Sequence, residues 1–257
     1  MTRPLVTYRD RLSSHIDSYL DAVLQAPGVR WAEFARLHEF ARLDEPRRLL
    51  EVPAEGDMLE RLYPGARIWR ADFLKTGVAG YSDALTVTDW SLANLPQAFF
   101  DGVLAVVPFH HAAPTEKRTF LQDVWRTLKP NEILCLNEIE TGSRVHRFLD
   151  GFVDAHTSTG HVGDYPDAGF AAELDASGFI GVATATLECP WVFDSPPEMV
   201  AYVRRLFALD DISDTELLDA LQEALGWRAV DGRWELAWSL RYFRGVRPAA
   251  NAPDARG

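Results

Sequence analysis

Cysteine is nearly absent. Cys135 and Cys189 are the only two in 257 residues, too few for a zinc cluster or a disulfide framework. Each sits in an apolar run, so both are expected as buried free thiols in a reducing compartment. Long hydrophobic runs are missing too. No stretch approaches the roughly 20 apolar residues of a membrane span, and the opening MTRPLVTYRDRLSS contains no uninterrupted apolar segment. Positive charge is short: 26 Lys and Arg stand against 38 Asp and Glu, a formal net charge of −12. Such a surface repels phosphate backbones and anionic lipid, so neither nucleic acid nor membrane is expected as a partner. A cytoplasmic protein acting on a small molecule, or on another protein, is the expectation. Also lacking are a Walker-type glycine loop, a G-x-S-x-G nucleophile elbow and a catalytic context for either cysteine, which argues against P-loop kinase and serine hydrolase chemistry.

What is present is 47% hydrophobic sequence, enough for a sizeable core. From Tyr8 to Leu43, apolar residues recur at three and four with a break at Ala26-Pro27-Gly28, predicting two amphipathic helices. A train of short apolar runs follows: LLEV, ARIWRAD, ALTVTD, DGVLAVVPF and EILCLNEI. Runs of this kind, without clean alternation, read as strands buried on both faces of a parallel sheet. The segment from Thr115 to Leu128 reads as a helix between two of them. Further on, GVATATLECPWVF (181–193) reads as one long strand. DSPPEMVAYVRRLFAL and SDTELLDALQEALGW read as capped helices. After the turn dipeptide Asp231-Gly232, RWELAWSLRYFRGVR alternates with a strand's period of two. The fold class expected is α/β: a doubly wound, mostly parallel seven-stranded sheet with an antiparallel edge strand. The domain reading is an N-terminal helical segment (1–44), an α/β domain (45–248) with a lid insertion at about 141–172, and a flexible tail (249–257). The leading helices are also a candidate homodimer face.

The order of these landmarks resembles the class I methyltransferases that use S-adenosylmethionine, in particular the small-molecule group, over about residues 45 to 248. LLEV with its following turn and helix stands in the place of the first motif, and RADFL closes the second strand on Asp72, where the family places an acidic residue on the ribose hydroxyls. LTVTDW resembles the adenine-holding segment, with Asp89 and Trp90. LQDVWRTLKPNEILCLNE resembles the helix, turn and fifth strand, and DASGFIGVATATLECPWVF the late "GF" strand. The resemblance implies S-adenosylmethionine as cofactor, a small organic acceptor as substrate and a place in specialised, natural-product metabolism. Chemistry agrees with the carboxylates: an acidic group just beyond a strand end can accept two hydrogen bonds from a diol, and open α/β sheets bind ligands at that edge.

One stretch departs from the pattern. In Glu51-Val52-Pro53-Ala54-Glu55-Gly56-Asp57 the family's three glycines align with Pro53, Glu55 and Asp57. Glycine lets backbone approach a ligand, whereas proline removes a donor and fixes φ. Two readings stand side by side. Either the turn is rebuilt around Gly56, with Glu51, Glu55 and Asp57 meeting the cofactor's cationic groups, or the acidic residues fill a redundant cofactor pocket. The second would suit a non-methylating catalyst such as a cyclase or pericyclase. A third reading, a non-catalytic partner subunit, would be favoured by an exposed apolar surface around Trp31 and Phe34.

For the reaction itself, His110 and His111 follow the fourth strand, at the edge where the family's reacting atoms meet, and either is a candidate base. FVDAHTSTGHVGDYPDAGF (152–170) reads as a lid loop. It supplies His156 and His161 as further candidate bases and Tyr165 as an acceptor contact. Phe152 and Trp191 are candidate walls of the acceptor pocket. His156, His161 and Asp164 have metal-ligand side chains, but their spacing fits no established pattern, so no metal is assigned.

Overall fold

The computed structural model describes residues 7–54, 56–72, 85–86, 90–106, 108–167 and 169–249. Helices α1 (Tyr8–Gln25) and α2 (Trp31–Ala41) lead into β1 (Arg48–Val52), α3 (Met58–Leu62), β2 (Arg67–Asp72), β3 (Leu85–Thr86) and β4 (Phe100–Val106). A 3-10 turn at Phe109–His111 precedes α4 (Pro114–Thr127) and β5 (Leu128–Glu138). Next come α5 (Arg144–Arg147), a π-helical stretch (Phe148–Val153), α6 (Asp154–His156) and α7 (Phe170–Ala176). The chain ends with β6 (Ile180–Glu188), β7 (Trp191–Phe193), α8 (Pro196–Phe207), α9 (Asp214–Ala224), β8 (Trp227–Val230), β9 (Arg233–Leu236) and β10 (Ser239–Val246).

Seven strands form the central sheet in the order β3-β2-β1-β4-β5-β10-β6. β1 pairs in parallel with β2 and β4, and β4 with β5, while β10 runs antiparallel to both β5 and β6. The antiparallel strand expected at this end of the sheet is thus β10, lying between β5 and β6. Alternate residues of the inner strands feed two separate cores. Leu49, Leu104 and Cys135 pack with Phe34 and Leu37 of α2 on one side; Leu50, Val103 and Leu134 pack with Phe120 and Val124 of α4 on the other. Burial pushes the Cys135 and Cys189 thiols above their ordinary pKa, and both are free cysteines.

Two runs that read as single strands are each divided. GVATATLECPWVF becomes β6 and β7, and RWELAWSLRYFRGVR becomes β9 and β10. β7 and β9 belong to a second sheet, order β7-β9-β8, closed by the Asp231-Gly232 hairpin with φ of 50 and 79°. The breaks fall at Cys189-Pro190 and Ala237-Trp238, where the chain changes sheets. Pro190 has no N–H to continue a ladder, and the Cys189 amide donates to the Trp238 carbonyl at 2.9 Å. Phe34 is only 1% exposed and Arg61 lies over the Trp31 ring at 4.6 Å, so the apolar surface that would have favoured a partner subunit is covered by the chain itself at Phe34. Among the described residues no helix is long and apolar enough to cross a membrane. The tail from residue 250 onward lies outside the described residues.

Candidate functional site

Parallel strands β4 and β5 deliver their C-terminal ends side by side, and the 3-10 turn after β4 is anchored by Phe109. That ring packs against Trp90 and Phe120 at centroid distances of 5.2 and 5.0 Å. Next to it, His110 is gripped by Glu138, the last residue of β5 and 3% exposed. Glu138 accepts the His110 amide N–H at 3.1 Å, faces the His110 Nδ1 at 3.0 Å and accepts the Ile139 N–H at 2.6 Å. A hydrogen bond donated from His110 Nδ1 to this carboxylate would leave the ring's electron pair on Nε2.

The segment after α6 closes over this turn. The Asp164 amide donates to the His110 carbonyl at 2.7 Å, and Lys117 of α4 donates to both the backbone and the side chain of Asp164, at 2.5 and 3.0 Å. The Tyr165 ring stacks on His110, centroids 4.7 Å apart and planes within 9°. Gly163 makes the approach possible, because a Cβ there would stand 2.9 Å from both His110 Cβ and Tyr165 Cε2. The same segment brings in His161. Its amide donates to Asp154 at 2.8 Å, and its Nδ1 lies 3.3 Å from Tyr165 Oη and 3.8 Å from Asp150 Oδ1. Tyr165 donates to Asp150 at 2.6 Å. Burial alone would raise the Asp150 pKa, but the neighbouring His161 ring and the hydrogen bond from Tyr165 outweigh it and hold the carboxyl below its ordinary value.

His110, His111 and His161 therefore converge, 6, 3 and 3% exposed. Ring centroids are 4.1 Å apart for His110 and His111, 5.3 Å for His110 and His161, and 5.0 Å for His111 and His161. They line a cavity of about 140 Å³ whose other walls include Tyr19, Glu33, Asn137, Trp191, Phe207 and Trp238. Glu33, from α2, is 1% exposed, pairs with Arg30 at 2.7 Å and accepts the Trp191 indole N–H at 2.7 Å. Trp191 stacks on Trp238 at 4.0 Å. Both amide atoms of Asn137 are buried at this wall, with the Tyr242 hydroxyl as a polar neighbour.

The edge formed by β1 and β2 is built differently. Glu51, 2% exposed, meets Arg70 Nε at 3.1 Å, and Arg70 also pairs with Glu60 and reaches the Gly56 carbonyl at 3.4 Å. Gly56 has φ of +108° with open space where a Cβ would project, a conformation that selects glycine. Asp57 precedes α3 as an exposed N-cap residue whose side chain makes no cap bond. Asp72 ends β2 and is 4% exposed. Trp90, 4% exposed, packs on Phe109 and also on Phe120 at 6.1 Å, a core position. Glu55 and Asp89 lie outside the described residues.

Of the candidate bases, then, three come together and His156 does not. Its ring packs on Phe152 at 4.6 Å and its carbonyl accepts from Asp210 at 2.9 Å. Phe152 stacks on Phe148 at 5.5 Å, and neither it nor His156 lines the cavity. Trp191 does. The imagined metal trio of His156, His161 and Asp164 is not assembled either, since the Asp164 carboxylate is engaged by Lys117. Glu33, Glu138, Asn137 and Asp150 were missed by sequence reasoning. Only Asn137-Glu138 carried a signal, a polar pair closing an otherwise apolar strand at the ligand-binding edge.

No family model and no curated protein matches the sequence. Solved structures do. The [4+2]-cyclase SpnF superposes with a TM-score of 0.60 at 13% identity, over 96% of this chain and 98% of the cyclase. The 1,6-didemethyltoxoflavin-N1-methyltransferase of Burkholderia thailandensis, solved with 1,6-didemethyltoxoflavin and S-adenosylhomocysteine, gives 0.56 at 17% identity over 96% and 93%. A SAM-dependent methyltransferase from Thermotoga maritima gives 0.57 at 13% identity over 93% and 99%. The superpositions and their near-complete mutual coverage make this chain's architecture the class I methyltransferase fold.

Proposed function

We propose that this chain transfers a methyl group from S-adenosylmethionine to a small organic acceptor, in specialised metabolism, with the acceptor in the histidine-lined cavity. The observation that carries the reading is the buried His110–Glu138 pair beside a cavity at the C-terminal edge of β4 and β5, the edge at which open α/β sheets bind their ligands. The β1–β2 edge suits the cofactor chemically. Asp72 would accept from the ribose hydroxyls, while Glu51 and the Gly56 turn would face the cationic methionine portion. Glu55, Asp57 and Asp89 are proposed for the same cofactor region, whereas Trp90, packed on Phe109 and Phe120, serves the core rather than an adenine. When bound, S-adenosylmethionine supplies an electrophilic methyl carbon whose bond to sulfur breaks as the acceptor's lone pair attacks, the sulfur keeping the electron pair.

The chain's own residues position and enclose. His110 Nε2 accepts a hydrogen bond or a proton from the acceptor, Glu138 stabilises the ring in the charge state that results, and His111 and His161 narrow the approach. The segment 157–167 acts as the lid, holding water out while Tyr165 braces His110. Since Phe34 and Leu37 of α2 are committed to the core, a homodimer face on the leading helices would fall to α1.

A second reading is favoured by Pro53 in the turn and by the cyclase that shares the fold: a non-methylating catalyst using the same cavity. The two separate by product analysis. Purified protein incubated with S-adenosylmethionine and a panel of small hydroxylated and heteroaromatic acceptors is expected to yield a methylated product and S-adenosylhomocysteine by mass spectrometry. Conversion of a substrate without either product would overturn methyl transfer in favour of the second reading.

A further inference from the structure

We infer that His110, His111 and His161 form a binding site for one divalent transition metal ion of the zinc class, facing the cavity. One ring nitrogen from each lies within 4.8 Å of the others. A tetrahedral ion about 2.0–2.1 Å from each imidazole nitrogen, with each ring centroid roughly 1.1 Å further out, would place the centroids roughly 5 Å apart. Observed separations are 5.3, 5.0 and 4.1 Å. The ligand nitrogens of such a site stand about 3.3 Å from one another, so binding turns the three rings by side-chain rotation from their present separation of up to 4.8 Å.

Two further observations point to an ion rather than to a chance meeting of rings. Metal-binding histidines characteristically present their other nitrogen to a carboxylate, which fixes the tautomer and raises ligand basicity. One ring has that backing directly, with Glu138 3.0 Å from His110 Nδ1, and a second has it through a relay, His161 Nδ1 standing 3.3 Å from Tyr165 Oη, which donates to Asp150 at 2.6 Å. Coordination through Nε2 of these two rings uses the nitrogens turned away from the carboxylates. In addition, the buried amide of Asn137 lines the same cavity and would meet a ligand held on the ion. Three imidazoles leave a fourth tetrahedral position, which suits a hydroxyl or carbonyl oxygen of the acceptor. With the ion present, that oxygen meets the metal in place of His110 Nε2.

The site stands independently of methyl transfer, because it is read on the ion alone. Chelator-stripped protein is titrated with Co²⁺ by visible absorption and with Zn²⁺ by competition against a chromophoric chelator, with thermal melts confirming that each variant is folded. One ion per chain is expected, with the intense visible bands of four-coordinate Co²⁺. Affinity should fall at least 100-fold in His161→Ala and His111→Ala, fall about 10- to 100-fold in Glu138→Gln, and stay unchanged in His156→Ala. Absence of stoichiometric binding to the wild-type chain, or an affinity unaltered by His161→Ala and His111→Ala, would overturn the site. Binding of S-adenosylhomocysteine, followed separately, reports on the cofactor reading whatever the metal result.

Discussion

The two halves of the ligand-binding edge are made of opposite materials. Over β4 and β5, histidine rings stand beside Trp191 and Trp238, with the carboxylates one step removed: Glu138 behind His110, Asp150 behind Tyr165 and Glu33 behind the Trp191 indole. Over β1 and β2, the carboxylates Glu51 and Asp72 stand at the edge themselves, and the principal cation among them, Arg70, ties Glu51, Glu60 and the Gly56 carbonyl together. A half built from fixed acceptors suits a cationic, diol-bearing ligand. A half built from histidines suits chemistry in which an electron pair or proton must be offered. The difference matches the proposed function, with cofactor on one side and reaction on the other, without appeal to any glycine motif.

The largest expected effect comes from Glu138→Ala. It leaves two amide groups and one imidazole without their buried acceptor, at a cost of about 3–5 kcal/mol by analogy with breaking a buried charged pair. Urea unfolding measures it. If the halves are independent, the protein that remains folded still binds S-adenosylhomocysteine, while turnover is lost.

Asp101 lies at the opposite edge of the sheet and tests whether stability and function separate. It pairs with Lys129 and accepts the Arg47 and Arg48 amides at 2.9 and 2.8 Å, joining the start of β1 to β4. Burial alone would raise its pKa, but Lys129 and the two amides outweigh it and hold the carboxyl below its ordinary 3.8. A folded-state pKa that is lowered contributes stability above the unfolded pKa and loses it as pH falls through the folded value. Asp101→Asn should therefore cost about 1–3 kcal/mol at neutral pH. The deficit should shrink as pH falls below about 4, where the wild-type carboxyl also protonates. Thermal melts across pH 2 to 7, about the range where carboxylates titrate, would show it, with ligand binding at neutral pH unaffected.

Ser195→Ala is the smallest. Ser195 Oγ accepts the Glu198 amide at 3.3 Å at the start of α8, and losing such a cap costs about 1 kcal/mol. Because Leu206 and Phe207 at the far end of α8 line the cavity, this change should leave both halves working and only lower the denaturation midpoint.

The fold was legible because its signals are local and repeated. Apolar runs such as LLEV and EILCLNEI are buried on both faces, and breaks such as Ala26-Pro27-Gly28 stop helices wherever they occur. Strand boundaries near 190 and 237 were not legible, since periodicity of two continues across a change of sheet. The histidines were visible as residue types at a sheet edge, but their grouping was not. His161 reaches His110 through the Gly163 contact and the Asp164 amide, long-range packing that no spacing encodes. Glu33 was hidden because in an amphipathic helix a lone glutamate reads as the solvated face. Here Trp191, 158 positions away in sequence, and Arg30 satisfy it inside.

The most direct measurement is calorimetric titration of S-adenosylhomocysteine into the wild-type chain, Asp72→Ala and His110→Ala. Micromolar binding that is abolished in Asp72→Ala and retained in His110→Ala is the result predicted by a cofactor half and a reaction half. No binding to the wild type at millimolar ligand, or equal loss in both variants while both remain folded, would contradict it.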